Sequence, residues 1–234
     1  MIPLRDTIRS RGFPFVNVTL IIVNVLIFFY EFSLGNDLNR FIYEYGLVPA
    51  SLHPSRDIGL FERTYPFFTS MFLHGGWLHL IGNMLYLYIF GDNVEDRMGH
   101  FKYLIFYLLA GLGGAIAQVI FSINSTIPMV GASGAISGIL GAYILFFPRS
   151  RILTLVPIFF FIQIIEIPAV VFLFFWFLMQ LFYGVASLAV TQTTGGVAFM
   201  AHVGGFIAGF FLAKLFQKDR AHYNNSGWFS GIFK

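Results

Sequence analysis

The chain of 234 residues is 57% hydrophobic and only 11% charged, with a mean hydropathy of +0.77 and a formal net charge of +3. A soluble domain of this length cannot bury so much apolar surface, so the composition excludes a water-soluble fold and makes lipid the solvent for most of the chain. The absence of cysteine excludes disulfides and thiol catalysis.

Six apolar runs have about the length of roughly 20 residues that a helix needs to cross a hydrocarbon core. They predict an all-α fold, a polytopic membrane protein with a bundle of six transmembrane helices, in a single domain over residues 1–234. We interpret the first run as an uncleaved helix, since no small-residue cleavage site follows it. In chain order the predicted spans are Phe13–Phe32, Phe67–Phe90, Phe101–Phe121, Met129–Phe147, Ala169–Val190 and Val197–Phe216.

The apolar stretch Ile152–Ile165 is too short for a seventh span, because Glu166 and Pro168 interrupt it. A seventh span would also place the basic C-terminal residues outside, against the tendency of Lys and Arg to stay in the cytoplasm. We therefore predict an interfacial or re-entrant segment at this stretch.

Basic residues near the span ends predict the orientation of the protein. With a cytoplasmic N-terminus, six spans leave three basic residues outside (Arg40, Arg56 and Arg63) and eleven inside (Arg5, Arg9, Arg11, Arg97, Lys102, Arg149, Arg151, Lys214, Lys218, Arg220 and Lys234). This bias favours cytoplasmic termini in a multi-pass protein of a bacterial cytoplasmic membrane. Because topology explains the basic charge, the charge does not call for a nucleic-acid partner.

Polar side chains collect at one depth of the predicted bundle. The second, fourth and sixth spans all run from outside to inside, which places His74, His79, Asn83, Ser133 and His202 near their outer ends. His79 and Asn83 are four residues apart and therefore share one helix face. Polar groups in hydrocarbon normally face the bundle interior and indicate a functional path.

Two stripes of small residues lie beside the Ser133 hydroxyl and the His202 imidazole. Small residues at helical spacing allow close backbone approach, so these stripes predict that spans four and six pack together. Ser133 would then lie within hydrogen-bonding reach of His202, as a serine nucleophile and its general base require. The stripes are Gly131, Gly134, Gly138 and Gly141 on span four, and Ala201, Gly205, Gly209 and Ala213 on span six.

Together these residues resemble the rhomboid intramembrane serine proteases. The segment Gly131-Ala132-Ser133-Gly134 is similar to the family's GxSG motif, and Ala201-His202-Val203-Gly204-Gly205 is similar to its catalytic histidine segment. His79 and Asn83 match the HxxxN pair, His74 matches an additional upstream histidine, and Gly91, Glu95 and Gly99 match a GxxxExxxG turn. The similarity covers roughly residues 60–214.

The resemblance implies a serine endopeptidase that cleaves transmembrane segments of membrane-protein substrates in the lipid bilayer. Ser133 and His202 would form a catalytic dyad, and His79, Asn83 and the backbone N–H of Ser133 would stabilise the oxyanion. His74, Gly131 and Gly134 would support them, without cofactor or metal. Substrates would enter sideways past the fifth span, where the run Phe172–Phe177 could form the entrance. The loops Ser122–Pro128 and Thr191–Met200 contain no charge and are rich in Ser, Thr and Gly, which predicts mobile covers over a polar cavity.

Three features depart from the serine–histidine–carboxylate triad or from the family pattern. No carboxylate lies in the outer halves of spans two, four and six, so we expect packing alone to orient the imidazole. Some rhomboids stack an aromatic residue on the histidine where this chain has Ser137, and Tyr143 or Phe199 would take its place. The first outer loop has Tyr65-Pro66 where the family usually has Trp-Arg.

Two other kinds of protein remain alternatives. In a transporter or channel the same polar residues would line a conduction path, although such proteins commonly carry charged residues well inside their spans. A catalytically silent, rhomboid-like binding protein would typically lack the nucleophile or the base, and this chain has both.

Overall fold

The computed structural model describes residues 1–53, 59–158, 161–188 and 197–217, and most of them are helical. Short 3-10 turns lie at Gly35–Asp37, Pro49–Leu52 and Ser70–Phe72. The helices and strands are, in chain order, β1 (Ile2–Asp6), α1 (Phe15–Ser33), α2 (Leu38–Tyr45), α3 (Leu60–Thr64), α4 (Pro66–Thr69), α5 (Trp77–Met98), α6 (His100–Phe121), α7 (Ser133–Phe146), β2 (Arg151–Ile158), β3 (Phe161–Pro168), α8 (Ala169–Leu188) and α9 (Phe199–Phe216).

Four of the described helices, α1, α6, α8 and α9, are long and apolar enough to cross a membrane. Their bounds agree within two residues with the predicted spans. Helix α5 is as long as α6, but Asp92, Glu95, Asp96 and Arg97 near its end make it more polar. Helix α7 is apolar but has only 14 residues. The protein is therefore a polytopic helical membrane protein, and the count of six spans stays a prediction.

Two predicted spans begin too early. The second begins at Trp77 rather than Phe67, because the backbone at Gly75 and Gly76 is not helical. His74 therefore lies outside the helix. The fourth begins at Ser133 rather than Met129, because the residues before it are not helical. Both corrections place the polar residues closer to a helix start than the sequence predicts.

A three-stranded antiparallel sheet includes the stretch for which an interfacial or re-entrant segment is predicted, and the prediction of an all-α fold is wrong in this respect. Strand β2 pairs with β3 from Arg151–Pro168 to Ile158–Phe161, and β1 pairs with the other edge of β2. The stretch is rich in isoleucine, which favours strands. Strands β2 and β3 are each too short to cross a membrane as a helix, and their pairing gives the backbone N–H and C=O groups hydrogen-bond partners.

Helix α7 lies at the centre of the bundle, where small residues let α9 approach its backbone. A Cβ atom added to Gly205 would lie 2.0 Å from the carbonyl oxygen of Gly134, and one added to Gly209 would lie 2.2 Å from that of Gly138. The prediction that the two small-residue stripes pack together is confirmed. Helix α6 adds a third close approach, since a Cβ atom on Gly114 would lie 2.6 Å from the Ala201 carbonyl oxygen.

The end of α5 holds α1 against the bundle. Gly91 and Glu95 of the predicted turn lie within this helix, and only Gly99 follows it. The Glu95 carboxylate accepts hydrogen bonds from the backbone N–H groups of Val16 and Asn17 at 2.9 and 2.7 Å, and also contacts His100. These N–H groups belong to the first turn of α1, where no helical acceptor exists for them. Glu95 therefore supplies hydrogen-bond acceptors to the first turn of a helix that lies 78 residues away in the chain.

Asp6 connects the sheet to the helices. Its carboxylate accepts hydrogen bonds from the Tyr143 hydroxyl of α7 at 2.5 Å and from the Asn93 amide of α5 at 2.9 Å. Burial raises the pKa of Asp6 to about 7, and the neighbouring Asp92 adds to this rise, while the hydrogen bond from Tyr143 opposes it. The sheet is thus fixed to α7, the helix that carries Ser133, at the opposite end of that helix from the Ser133 hydroxyl.

Candidate active site

Ser133 is the first residue of α7, and the backbone conformation before it prevents the helix from beginning earlier. Gly131 has φ +124°, a conformation that favours glycine, and its N–H donates to the Ser70 carbonyl at 2.8 Å. Two residues earlier, Met129 pairs with Leu47. A helix of 14 residues is about 21 Å long, shorter than a hydrocarbon core of about 30 Å. The serine hydroxyl can therefore lie inside the membrane while remaining at a helix end.

His202 lies in the first turn of α9, directly opposite Ser133. Its Nε2 atom is 2.7 Å from the Ser133 Oγ atom, a hydrogen-bonding distance between residues 69 positions apart. The hydrogen bond predicted from the two small-residue stripes is present. A hydroxyl paired with an imidazole nitrogen in this way can lose its proton as it attacks an electrophile.

Gln180 of α8 contacts the other ring nitrogen of the imidazole, an interaction that was not predicted from the sequence. Its Oε1 atom lies 2.7 Å from Nδ1 of His202. The expectation that packing alone orients the ring is therefore wrong. The missed signal is an amide side chain within the apolar span Ala169–Leu188, since amides in membrane helices tend to bond across helices.

Two aromatic rings enclose the imidazole. Trp176 stacks on His202 with ring centroids 6.1 Å apart and 29° between the planes, and Phe199 approaches edge-on at 6.3 Å. The proposed contact with Phe199 is confirmed, while Tyr143 instead binds Asp6. Ser137 donates to the carbonyl of Ser133 at 2.6 Å, so the tryptophan of α8 takes the stacking position that Ser137 cannot fill.

His79 and Asn83 lie on one face of α5, beside the loop that carries the nucleophile. A Cβ atom on Gly131 would lie 2.7 Å from His79 Nε2 and 3.6 Å from Asn83 Nδ2. His79 Nδ1 accepts the N–H of Gly75 at 3.3 Å, which leaves Nε2 as the protonated nitrogen of a neutral ring. Asn83 Nδ2 is buried and has no hydrogen-bond partner among the described residues. Both side chains therefore present donors to the site.

His74 lies behind His79 rather than on the helix. The two rings meet edge to face with centroids 5.2 Å apart, and the backbone N–H of His74 donates to the buried Glu31 carboxylate at 3.2 Å. His74 is 3% exposed and lies outside the cavity lining. Its contact is with His79 rather than with the dyad, which agrees with a supporting position.

A cavity of about 720 Å³ opens at these residues. Helices α5 and α8 both contribute to the lining, and the loop Ser122–Pro128 adds Ile127 and Pro128. In the second predicted cover, Thr191–Met200, residues 191–196 lie outside the described residues. The lining is Ile42, Gly75, Leu78, His79, Gly82, Asn83, Tyr86, Ile127, Pro128, Met129, Val130, Ser133, Ile136, Ser137, Leu140, Trp176, Gln180, Val197, Ala198 and His202.

Comparison with known proteins decides the family. A sequence model of the rhomboid domain matches residues 62–219, a range that contains Ser133, His202, His79 and Asn83. The chain belongs to the rhomboid family. This rhomboid protein is 30% identical to Rhomboid protease GluP of Bacillus subtilis over 205 residues, which cover 87% of this chain and 35% of GluP.

Two further relatives are similar over shorter segments. Rhomboid protease AarA of Providencia stuartii is 30% identical over 150 residues, 58% of this chain and 52% of AarA. RHOMBOID-like protein 5 of Arabidopsis thaliana is 30% identical over 178 residues, 73% of this chain and 52% of the plant protein. This rhomboid chain spans about half the length, or less, of the first curated relatives that it matches.

Proposed function

We propose that this rhomboid protein is an intramembrane serine endopeptidase that cleaves transmembrane segments of membrane-protein substrates. The observation that carries the proposal is the 2.7 Å contact between Ser133 Oγ and His202 Nε2 at the wall of a cavity. Two named rhomboid proteases among the similar proteins support it. No bound metal or cofactor is required for this chemistry.

The reaction begins when Ser133 Oγ attacks the scissile carbonyl carbon. His202 Nε2 takes the hydroxyl proton as the new C–O bond forms, and the carbonyl oxygen becomes an oxyanion. The imidazolium then gives that proton to the leaving amine as the C–N bond breaks. Water, activated by the same imidazole, hydrolyses the acyl-enzyme and regenerates the serine.

The oxyanion would lie between α5 and the start of α7. Its donors would be His79 Nε2–H, Asn83 Nδ2–H and the backbone N–H of Ser133, which as the first residue of a helix has no intrahelical acceptor. Removing one such donor typically costs about 3 kcal/mol of transition-state stabilisation. The Asn83 amide nitrogen, which has no partner in the described part of the chain, supports this assignment, because a buried donor without a partner is costly unless a ligand supplies the acceptor.

A substrate segment would enter sideways between α5 and α8. Both helices line the cavity, and each packs against α7 or α9 more closely than against the other. A scissile peptide bond must leave its helix to be attacked, because a helical carbonyl is already hydrogen-bonded. The run Phe172–Phe177 lies on this side, where exposed Phe174 and Phe175 would face lipid while Trp176 reaches the imidazole.

We also propose that the chain crosses the membrane six times with the starts of α5, α7 and α9 on the outer side. The excess of basic residues at the opposite ends supports this orientation, although Lys218, Arg220 and Lys234 lie outside the described residues. Both termini would then be cytoplasmic. The cytoplasmic membrane of a bacterium as the location, and a single domain over residues 1–234, stay predictions.

Cleavage of reconstituted substrates tests the proposal. Purified protein should cut members of a panel of single-span substrates near their outer ends, with the cut sites mapped by mass spectrometry. Ser133→Ala should abolish cleavage, whereas the control Ser187→Ala should retain it, because the only hydrogen bond of the Ser187 hydroxyl to a described residue is to the Gly184 carbonyl of its own helix. Absence of cleavage by the wild type, together with transport of ions or solutes, would favour the alternative of a transporter.

A further inference from the structure

The contact between Gln180 and His202 lies outside the residues that the family motifs identify. Gln180 is the single amide side chain of α8, which is otherwise largely apolar, and it is half-buried at the cavity wall. Its Oε1 atom is 2.7 Å from His202 Nδ1, the same separation that joins the other ring nitrogen to Ser133. The imidazole is therefore held at both nitrogens by side chains from two different helices.

We infer that Gln180 is the positioning residue of the catalytic imidazole, an uncharged third member of the Ser133–His202 site. This inference rests on the proposed protease function. It assigns to Gln180 two effects: selection of the tautomer that can accept the serine proton, and stabilisation of the imidazolium that forms when the proton arrives.

The position of the ring proton supports the first effect, the selection of the tautomer. A neutral imidazole carries one proton, on one nitrogen only. Nε2 can accept the Ser133 proton only if it is the unprotonated nitrogen, so the ring proton must be on Nδ1. A hydrogen on Nδ1 needs an acceptor, and the Gln180 carbonyl oxygen lies at the required distance. With the Gln180 amide oriented as in the structure, the opposite tautomer would place two lone pairs, those of Nδ1 and Oε1, face to face.

The aromatic neighbours cannot make this choice. Trp176 stacks on the ring and Phe199 meets it edge-on, so both restrict the plane of the imidazole. Neither contact depends on which nitrogen carries the proton. The Ser133 hydroxyl can donate or accept and is therefore compatible with either tautomer. Among the described side chains in contact with the ring, Gln180 is thus the one that distinguishes the two tautomers and also sets the rotation of the ring within its plane.

The second effect follows as the reaction proceeds. When Nε2 gains the serine proton, Nδ1–H becomes part of a cation and its hydrogen bond to Gln180 becomes charge-assisted and stronger. An interaction that strengthens in the transition state raises turnover rather than substrate binding. An amide supplies this acceptor without placing a permanent charge in a lipid-surrounded site, where an unpaired carboxylate would be costly.

Two substitutions at Gln180 and one matched control test the inference. Gln180→Met keeps the length of the side chain but removes the acceptor, whereas Gln180→Glu keeps an acceptor. The control Gln118→Met also removes a glutamine bond to α9, since Gln118 Oε1 accepts the N–H of Ala201 at 3.1 Å without contacting the imidazole. Turnover and KM on a cleaved substrate, the rate of Ser133 modification by a fluorophosphonate and the midpoint of thermal unfolding would be measured for each.

We expect Gln180→Met to lower turnover and the rate of serine modification by roughly tenfold or more, the equivalent of one lost hydrogen bond, with little change in KM. Gln180→Glu should retain most of the wild-type rate, and Gln118→Met should lower the unfolding midpoint more than the rate. Wild-type rates in folded Gln180→Met would overturn the inference while leaving the proposed function intact. Equal losses of rate in both Met variants would also overturn it.

A measurement on the wild type covers the case in which Gln180→Met does not fold. Nitrogen-15 NMR of histidine-labelled protein reports which ring nitrogen of His202 carries the proton, with the signal assigned from a His202→Ala sample. We expect the proton on Nδ1 at neutral pH, and a proton mainly on Nε2 would overturn the inference. If the wild type neither cleaves substrates nor reacts with the fluorophosphonate, the proposed function is wrong, and the inference falls with it.

Discussion

A single methyl group at Gly205 should separate the two halves of the catalytic dyad. In Gly205→Ala the new Cβ atom would lie 2.0 Å from the Gly134 carbonyl oxygen, whereas ordinary contact begins at 3.4 Å. Helices α7 and α9 would have to move apart by about 1.4 Å, the difference between these distances. If that movement reaches the dyad, the contact from Ser133 Oγ to His202 Nε2 lengthens from 2.7 Å to about 4 Å, beyond hydrogen-bonding reach.

The expected loss of activity can be estimated from this displacement. A misplacement of about 1 Å at a reacting group can lower the rate by on the order of 100-fold. Overpacking of a tight interface also costs about 1–3 kcal/mol of stability, which should leave enough folded protein for assay below the unfolding midpoint. We therefore expect Gly205→Ala to fold, to unfold at a lower temperature and to react with a fluorophosphonate about 100-fold more slowly than the wild type.

The matched control is Ile207→Ala on the same helix. Ile207 is 45% exposed and faces away from the tight interface, so its truncation should change the labelling rate little. Labelling and thermal unfolding would be measured on detergent-purified proteins at the same temperature. Wild-type labelling by Gly205→Ala, or an equal loss in Ile207→Ala, would refute the claim that the small-residue interface sets the dyad geometry.

Three further predictions follow from individual contacts. Asn83→Ala should lower turnover on a transmembrane substrate less than His202→Ala does, and an equal and complete loss would show that Asn83 is more than an oxyanion donor. Glu95→Gln should lower the unfolding midpoint without altering the labelling rate of detergent-solubilised protein, because it weakens the bonds to the start of α1; an unchanged midpoint would contradict this. Asp6→Asn should be more stable than the wild type above pH 7, because the stabilisation from protonated Asp6 is complete below its ordinary pKa of 3.8 and is lost as the pH rises to about 7. A difference in midpoint that does not grow between pH 4 and pH 7 would contradict the raised pKa.

Local patterns predict the residues of the dyad well for a physical reason. Ser133 and His202 each lie in the first turn of an apolar helix beside a stripe of small residues, and close packing of such stripes leaves few ways to place the two side chains. The hydrogen bond between them could therefore be predicted from spacing and topology. The same reasoning places His79 and Asn83 on one helix face, and the structure shows them together beside Gly131.

The surroundings of the imidazole could not be predicted in this way. Gln180 and Trp176 reach His202 from α8, and their contacts depend on how that helix is rotated and how deeply it lies, which no local pattern in an apolar span determines. A tryptophan there is equally compatible with lipid contact. The lone amide of α8 was the available signal.

The sheet was missed for a different reason. An apolar stretch of this length, such as Ile152–Ile165, fits an interfacial helix, a re-entrant loop or two strands equally well. What decides between them is pairing with β1, a segment about 150 residues away in the chain. Its isoleucine content favours strands, but only the long-range pairing gives the backbone groups their partners.

The most direct test of the site is to trap the nucleophile. Purified protein would be incubated with a fluorophosphonate, and the modified residue would be identified by peptide mass spectrometry in the wild type, in Ser133→Ala and in His202→Ala. We expect modification at Ser133, none at this site in Ser133→Ala, and a reaction slowed by several orders of magnitude in folded His202→Ala. Modification of another residue, or an undiminished rate without the imidazole, would contradict a Ser133–His202 dyad.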